Sequence, residues 1–93
     1  MLEITKMLTL STAHITDETK DWLSNSSPAG FEKYLRGEFG WFIYVCVEDM
    51  DEYLTEVPPD LEQVLRFAAA HGCVWVCLDI DGDTVKQLPV YNW

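Results

Sequence analysis

The sequence predicts an α+β two-layer sandwich, in which a mixed β-sheet of about four or five strands carries two helices on one face. Three observations predict this class. Apolar residues alternate with polar ones over residues 2–10, short apolar runs occupy 41–47 and 73–78, and a helical apolar stripe lies between those runs. The expected order of elements is β-α-(β)-β-α-β(-β), within a single domain of residues 1–93.

The first third of the chain predicts a strand and a short helix. Leu2, Ile4, Leu8 and Leu10 share one parity, which is typical of a strand over residues 2–10 with one buried face. Thr16 is predicted to cap a helix over residues 17–25, because its hydroxyl can accept a hydrogen bond from a backbone N–H two or three residues later.

The segment 31–36 fits either a helical turn or a strand. The sequence of residues 37–40 is typical of a hairpin loop, and it favours a strand that pairs with the next segment. That segment, WFIYVCV at 41–47, is apolar on both faces and predicts a central strand. We expect its aromatic side chains, and that of Trp75, to lie in the core.

The last third predicts a helix between two strands. Pro58 and Pro59 are expected to open this helix, and Gly72 to close it. Its apolar stripe comprises Leu61, Val64, Leu65 and Ala68. The strands 41–47 and 73–78 would then form a βαβ unit, and such strands are parallel with a right-handed crossover. Residues 84–93 predict a final edge segment, interrupted by Pro89.

The charge balance excludes whole classes of partner. The chain has 16 acidic residues against 6 Lys and Arg, which gives a net charge of −10. Binding to a phosphate backbone or an anionic membrane needs a basic surface, so we expect no direct nucleic-acid binding and no membrane contact. No leader or membrane span is predicted, and the odd count of three cysteines favours a reducing compartment, the cytoplasm.

Seven acids crowd into residues 48–62, and no Lys or Arg lies between Arg36 and Arg66. One interpretation is a solvated connection. The other is a surface for a basic partner, whose arginine and lysine sites normally hold phosphates; the excess of negative charge in the whole chain favours it. The predicted contact residues are Glu48, Asp49, Asp51, Glu52, Tyr53, Glu56, Asp60 and Glu62, with Tyr53 as an apolar anchor. Asp79, Asp81 and Asp83 would assist if the fold brings them to the same side.

The string CLDIDGDTV at 77–85 resembles the nucleophile strand of haloacid-dehalogenase-type phosphatases. That resemblance implies that Asp79 attacks phosphorus and Asp81 acts as acid and base beside Mg²⁺. Too few residues follow Thr84 to supply the rest of such a site, and the spacing does not fit an EF-hand. We therefore interpret it as a turn in which carboxylates accept hydrogen bonds from backbone N–H groups.

No catalytic residue, metal ligand or cofactor is predicted. Cys73 and Cys77 are too far apart along one strand to share a zinc ion, and His14 and His71 are isolated. A small Mg²⁺- or Ca²⁺-dependent enzyme or metal-binding protein that uses Asp79 and Asp81 is the alternative. A regulatory interaction module that dimerises through an uncovered sheet face is a third class, although a monomer is expected.

Strings along most of the chain resemble a small bacterial family carried on plasmids, prophages and other mobile elements. These strings are LSTAHIT at 10–16, GEFGWFIYV at 37–45, DLEQVLRFAAAHGC at 60–73, LDIDG at 78–82 and LPVYNW at 88–93. In type, a very acidic small domain of this kind is similar to phage-encoded anti-CRISPR proteins that mimic DNA. The resemblance to the mobile-element family implies no activity. The resemblance in type implies a non-enzymatic inhibitor in the cytoplasm of a bacterial host cell, which occupies the basic nucleic-acid site of a host defence complex, above all a type I CRISPR effector.

Overall fold

A computed structural model describes residues 2–92 of the chain. One sheet has the strand order β1-β4-β3-β2, where β1 is Met7–Ser11, β2 Lys33–Arg36, β3 Gly40–Tyr44 and β4 Trp75–Asp79. Strand β4 pairs parallel with β1 and antiparallel with β3, and β2 pairs antiparallel with β3. The helices are α1 Asp17–Asp21, α2 Met50–Tyr53 and α3 Pro59–Ala70. The predicted α+β class with a mixed sheet is confirmed.

The first strand is shorter than its alternating pattern predicts. Leu2 and Ile4 are 87% and 85% exposed, so the strand prediction for residues 2–6 is wrong. Pairing with β4 begins only at Met7, opposite Trp75, and a strand forms only where a neighbour supplies its ladder of hydrogen bonds.

The start of the first helix and the hairpin at residues 37–40 both form as the sequence predicts. Thr16 caps α1, since its hydroxyl accepts from the Thr19 N–H at 3.2 Å. The predicted helix over 17–25 continues beyond α1 as a π-helical turn, Trp22–Ser26. Residues 33–36 are a strand, and the 37–40 hairpin forms as predicted.

Helix α3 is amphipathic for the reason its spacing indicates. The residues of its predicted stripe are all buried, and they pack in the same core as Leu10, Ile43 and Val76. Gly72 follows the helix with a φ of +75°, and the Cys73 N–H donates to the Ala68 carbonyl at 2.9 Å. This is the left-handed closure that glycine permits.

The predicted βαβ unit is wrong. Strands β3 and β4 are antiparallel, with Tyr44 opposite Trp75 and Gly40 opposite Asp79. A crossover needs the helix to begin where the first strand ends, whereas residues 45–58 first carry the chain to the opposite end of the sheet. Asp60, in the first turn of α3, bonds there to Thr16, and α3 then returns the chain to β4. The parallel partner of β4 is β1 instead.

The sheet has a covered face and an open face, which the register assigns residue by residue. Leu8, Leu10, Ile43, Val76 and Leu78 point to the helices and belong to the core or pack against it. The open face carries the alternate residues, which are Met7, Thr9, Tyr34, Arg36, Phe42, Tyr44, Trp75, Cys77 and Asp79. Of the four aromatic residues expected in the core, Trp41 lies there. Phe42, Tyr44 and Trp75 do not, because no helix within residues 2–92 covers their face.

Residues 84–92 form no strand, so the predicted edge segment is wrong over this range; Trp93 lies outside the described residues. Instead of pairing with the sheet, the segment packs against the 3₁₀ turn that follows β1. The Tyr91 N–H donates to the Ala13 carbonyl at 2.8 Å, and the buried His14 bonds the segment at two further points.

Candidate functional site

A groove of about 530 Å³ lies beside the end of β3. Three carboxylates, those of Asp49, Glu52 and Glu56, stand at its rim. Phe31, Tyr53 and Val57 supply apolar and aromatic surface to its lining. We call this feature the acidic groove.

The backbone between β3 and α3 places these carboxylates together. Cys46 has a φ of +51°, an uncommon conformation for a residue other than glycine, and it turns the chain out of the sheet. The 3₁₀ turn Val47–Asp49 and α2 follow directly, and they place Asp49 and Glu52 in the lining of the same groove. Buried Leu54 and Val57 fix the segment to the core.

Tyr53 is held firmly in the groove. Its ring stacks on Phe31 with centroids 5.1 Å apart, and its hydroxyl donates to the Tyr44 carbonyl at 2.9 Å. The same oxygen accepts from the Glu32 N–H at 3.1 Å. Burial raises the pKa of Tyr53 to about 12. Tyr53, the predicted apolar anchor, therefore lines the groove and links α2 to β3.

This pKa predicts an alkaline loss of stability. In the unfolded chain the phenol ionises near pH 10. The folded chain favours the neutral phenol, so its contribution to folding stability is fully present below pH 10 and is lost as the pH rises to about 12. We expect Tyr53→Phe to remove that step and to cost about 1–2 kcal/mol at neutral pH through the lost hydrogen bonds. Ultraviolet absorbance of tyrosinate and urea unfolding at several pH values measure both effects.

Tyr34→Phe is the matched control, because Tyr34 is 55% exposed, lies outside the groove lining and loses only its hydroxyl in the variant. This variant should keep the alkaline step. If Tyr53→Phe also keeps it, the step belongs to another group.

The predicted acidic run divides into engaged and available carboxylates. Asp51 and Glu62 both pair with Arg66, at 3.1 and 2.9 Å. Asp60 accepts from the Thr16 N–H and the Thr19 hydroxyl, both at 2.7 Å, and so joins the first turns of α1 and α3. Glu48 lies 3.5 Å from the Tyr44 hydroxyl, and its charge raises the pKa of that phenol.

Asp79, Asp81 and Asp83 do not join the groove. Asp79 is the last residue of β4, opposite Gly40, and Asp81 and Asp83 follow it. The groove lies at the Tyr44 end, about 13 Å away along the strand. Asp79 pairs with Arg36 at 2.9 Å and accepts from the Asp81 N–H at 2.9 Å. The turn interpretation of this string is confirmed by that second bond.

Across residues 2–92 no group of three or more His, Cys, Asp or Glu side chains is arranged to hold a metal ion. The three thiols are free; burial raises the pKa of Cys77, which lies beneath the aromatic residues of the open face. Within the same range, no helix is long and apolar enough to cross a membrane.

Two features of the structure were not predicted from the sequence. His14 is buried and bonds two backbone groups of the C-terminal segment, although nothing in the sequence near it marks a partner. The open face carries aromatic side chains, and an alternating strand with apolar residues on both faces is equally compatible with full burial.

The fold and the groove define a small α+β domain with an acid-rimmed cleft. The chain belongs to a family of unknown function, DUF5983, whose C-terminal domain matches residues 7–93. The match begins at the first residue of β1. No curated protein and no solved structure matches the chain.

Proposed function

We propose that this domain is a non-enzymatic inhibitor that binds a basic surface of a nucleic-acid-binding protein through the acidic groove. The observation that carries the proposal is the state of the rim. Asp49, Glu52 and Glu56 make no ion pair or side-chain hydrogen bond with any residue in 2–92. The ion pairs of Arg36 and Arg66 are made with other carboxylates.

The groove fits the chemistry of an arginine or lysine side chain. Such side chains combine a cationic head with an apolar stem, and they bury the stem while the head meets a counter-charge. Carboxylates at the rim offer the counter-charge, and Phe31, Tyr53 and Val57 offer the apolar surface. Arginine adds stacking on aromatic rings and paired hydrogen bonds to a carboxylate.

A partner held in this way loses access to nucleic acid. The arginines and lysines that bind phosphates are the same groups that would enter the groove, and the net charge of −10 attracts them over a distance. Association should be fast and should weaken as salt increases.

A type I CRISPR effector, in the cytoplasm of the bacterial host, is the partner to test first. RNA-guided complexes hold duplexes in positively charged channels, and the domain is similar in type to acidic phage-encoded inhibitors of them. Labelled target DNA bound to the effector reports displacement as a fall in fluorescence anisotropy.

We expect the wild-type domain to displace the DNA and the variant Asp49→Lys, Glu52→Lys, Glu56→Lys to fail. The three substitutions reverse the rim, and all three side chains are exposed, so the fold should survive. Circular dichroism and thermal unfolding check the fold. Inhibition should weaken at least tenfold, which corresponds to about 1.4 kcal/mol.

The variant Glu3→Lys, Asp81→Lys, Asp83→Lys is the matched control, since it changes the net charge equally outside the groove. It should retain displacement. Equal loss in both variants would show that overall charge, and not the groove, carries the activity. A wild-type domain that leaves the DNA in place would exclude this effector as the partner.

A further inference from the structure

The open face of the sheet has a strongly apolar centre. Met7, Tyr34, Phe42 and Trp75 surround a shallow cavity of about 250 Å³ that is lined only by apolar atoms. Tyr34 is 55% exposed and Met7 46%. Apolar patches that persist on a folded surface mark sites of contact with another molecule.

This patch is continuous with the acidic groove. Aromatic rings contact one another from Phe31 to Tyr53 at 5.1 Å, from Tyr53 to Tyr44 at 6.3 Å and from Tyr44 to Trp75 at 5.3 Å. Tyr34 extends the series from Trp75 at 6.1 Å. A chain of aromatic ring contacts therefore links the floor of the groove to the centre of the open face.

The charges around this surface select its occupant. Glu48 stands where the open face meets the groove, and at the far end the charge of Arg36 is offset by Asp79. A second copy of the chain would bring another net charge of −10 against the first. A partner whose apolar side chain lies next to a basic segment matches both the aromatic patch and the adjoining carboxylates.

We infer that the open face seats an apolar side chain of the same basic partner, adjacent to the segment that enters the acidic groove. This inference rests on the proposed function and extends it to the chemistry of the partner. Tyr53 and Trp75 are no more than about 12 Å apart along the ring contacts, which about four extended residues span.

The acidic groove and the open face should affect different rate constants of binding. Carboxylates at the rim of an interface mainly raise the association rate, whereas aromatic contacts at its centre mainly slow dissociation. Loss of the open face should therefore leave the salt dependence of binding unchanged.

The probes are two synthetic peptides. Each has a segment of alternating arginine and glycine, a four-glycine spacer and a terminal residue, which is leucine in one and serine in the other. Calorimetry and amide chemical shifts measure binding to the wild-type domain. We expect leucine to tighten binding about tenfold, in line with partial burial of its side chain, and to shift the amides of Phe42 and Trp75.

The variant Met7→Thr, Tyr34→Thr should lose the gain from leucine and keep its affinity for the serine peptide. Leu35→Thr is the control, because Leu35 is 71% exposed on the same strand but has the opposite parity. No gain from leucine, a gain that survives the double substitution, or an equal loss in Leu35→Thr would overturn the inference.

The serine peptide tests the proposed function separately. If reversing the rim charges leaves its affinity unchanged, the groove is not the basic site, while the leucine comparison still decides the open face. Sedimentation velocity gives the oligomeric state. A dimer whose formation protects Trp75 from a fluorescence quencher would assign this face to a second copy and overturn the inference.

Discussion

Gly40→Ala is expected to destroy the native sheet. A Cβ at position 40 would lie 1.6 Å from the Leu78 carbonyl oxygen and 2.7 Å from its carbon, both backbone atoms of β4. Relief requires β3 and β4 to separate where Gly40 pairs with Asp79. We expect a loss of more than about 4 kcal/mol, a large part of the 5–15 kcal/mol that stabilises a typical domain.

Far-ultraviolet circular dichroism and thermal unfolding should show a largely unfolded variant at 25 °C. Gly30→Ala is the control, because a Cβ there has no atom within 4 Å and the φ of Gly30 is not positive. It should stay within about 1 kcal/mol of wild type. A Gly40→Ala variant that melts cooperatively near the wild-type temperature would show that the strands can move apart cheaply.

His14→Ala is expected to cost about 2–4 kcal/mol, the sum of a cavity and of backbone groups left without partners. The geometry fixes the neutral tautomer of the ring. Nε2 accepts from the Val85 N–H at 3.0 Å, so the proton is on Nδ1, which donates to the Pro89 carbonyl at 2.8 Å. The ring is 1% exposed and joins the turn after β1 to the C-terminal segment.

Urea unfolding measures this loss, and hydrogen exchange locates it. The amides of Val85 and Tyr91 should exchange much faster in the variant, while those of α3 should follow only the change in global stability. His71→Ala serves as the control, since that side chain is exposed, and it should cost less than about 1 kcal/mol. Equal losses in the two variants would remove His14 from its linking role.

Sequence patterns correctly predicted the features that depend on interactions between residues close together in the chain. The stripe of α3, the cap at Thr16 and the closure at Gly72 each follow from interactions within a few residues. The direction of β4 does not, because apolar runs carry no information on which end of the sheet a connection returns to. That direction depends on residues 45–58, which cross the molecule before α3 begins.

The acidic run at residues 48–62 was evident from the sequence, but which of its carboxylates remain unpaired was not. Residues distant in the sequence decide which carboxylates are paired. Arg66 forms an ion pair with Asp51, and the N-cap residue of α1 donates a hydrogen bond to Asp60. The aromatic surface was hidden for a related reason. Alternation in WFIYVCV shows which residues share a face, and only the packing of helices shows which face is covered.

Arg66 gives the surface an adjustable charge. Its two ion pairs are exposed, with 46% of the Arg66 side chain and 97% of the Asp51 side chain accessible to solvent, so together they add little to stability. A neutral residue at this position would strengthen the negative field beside the groove at almost no energetic penalty. Selection can therefore tune long-range attraction here while leaving the architecture untouched.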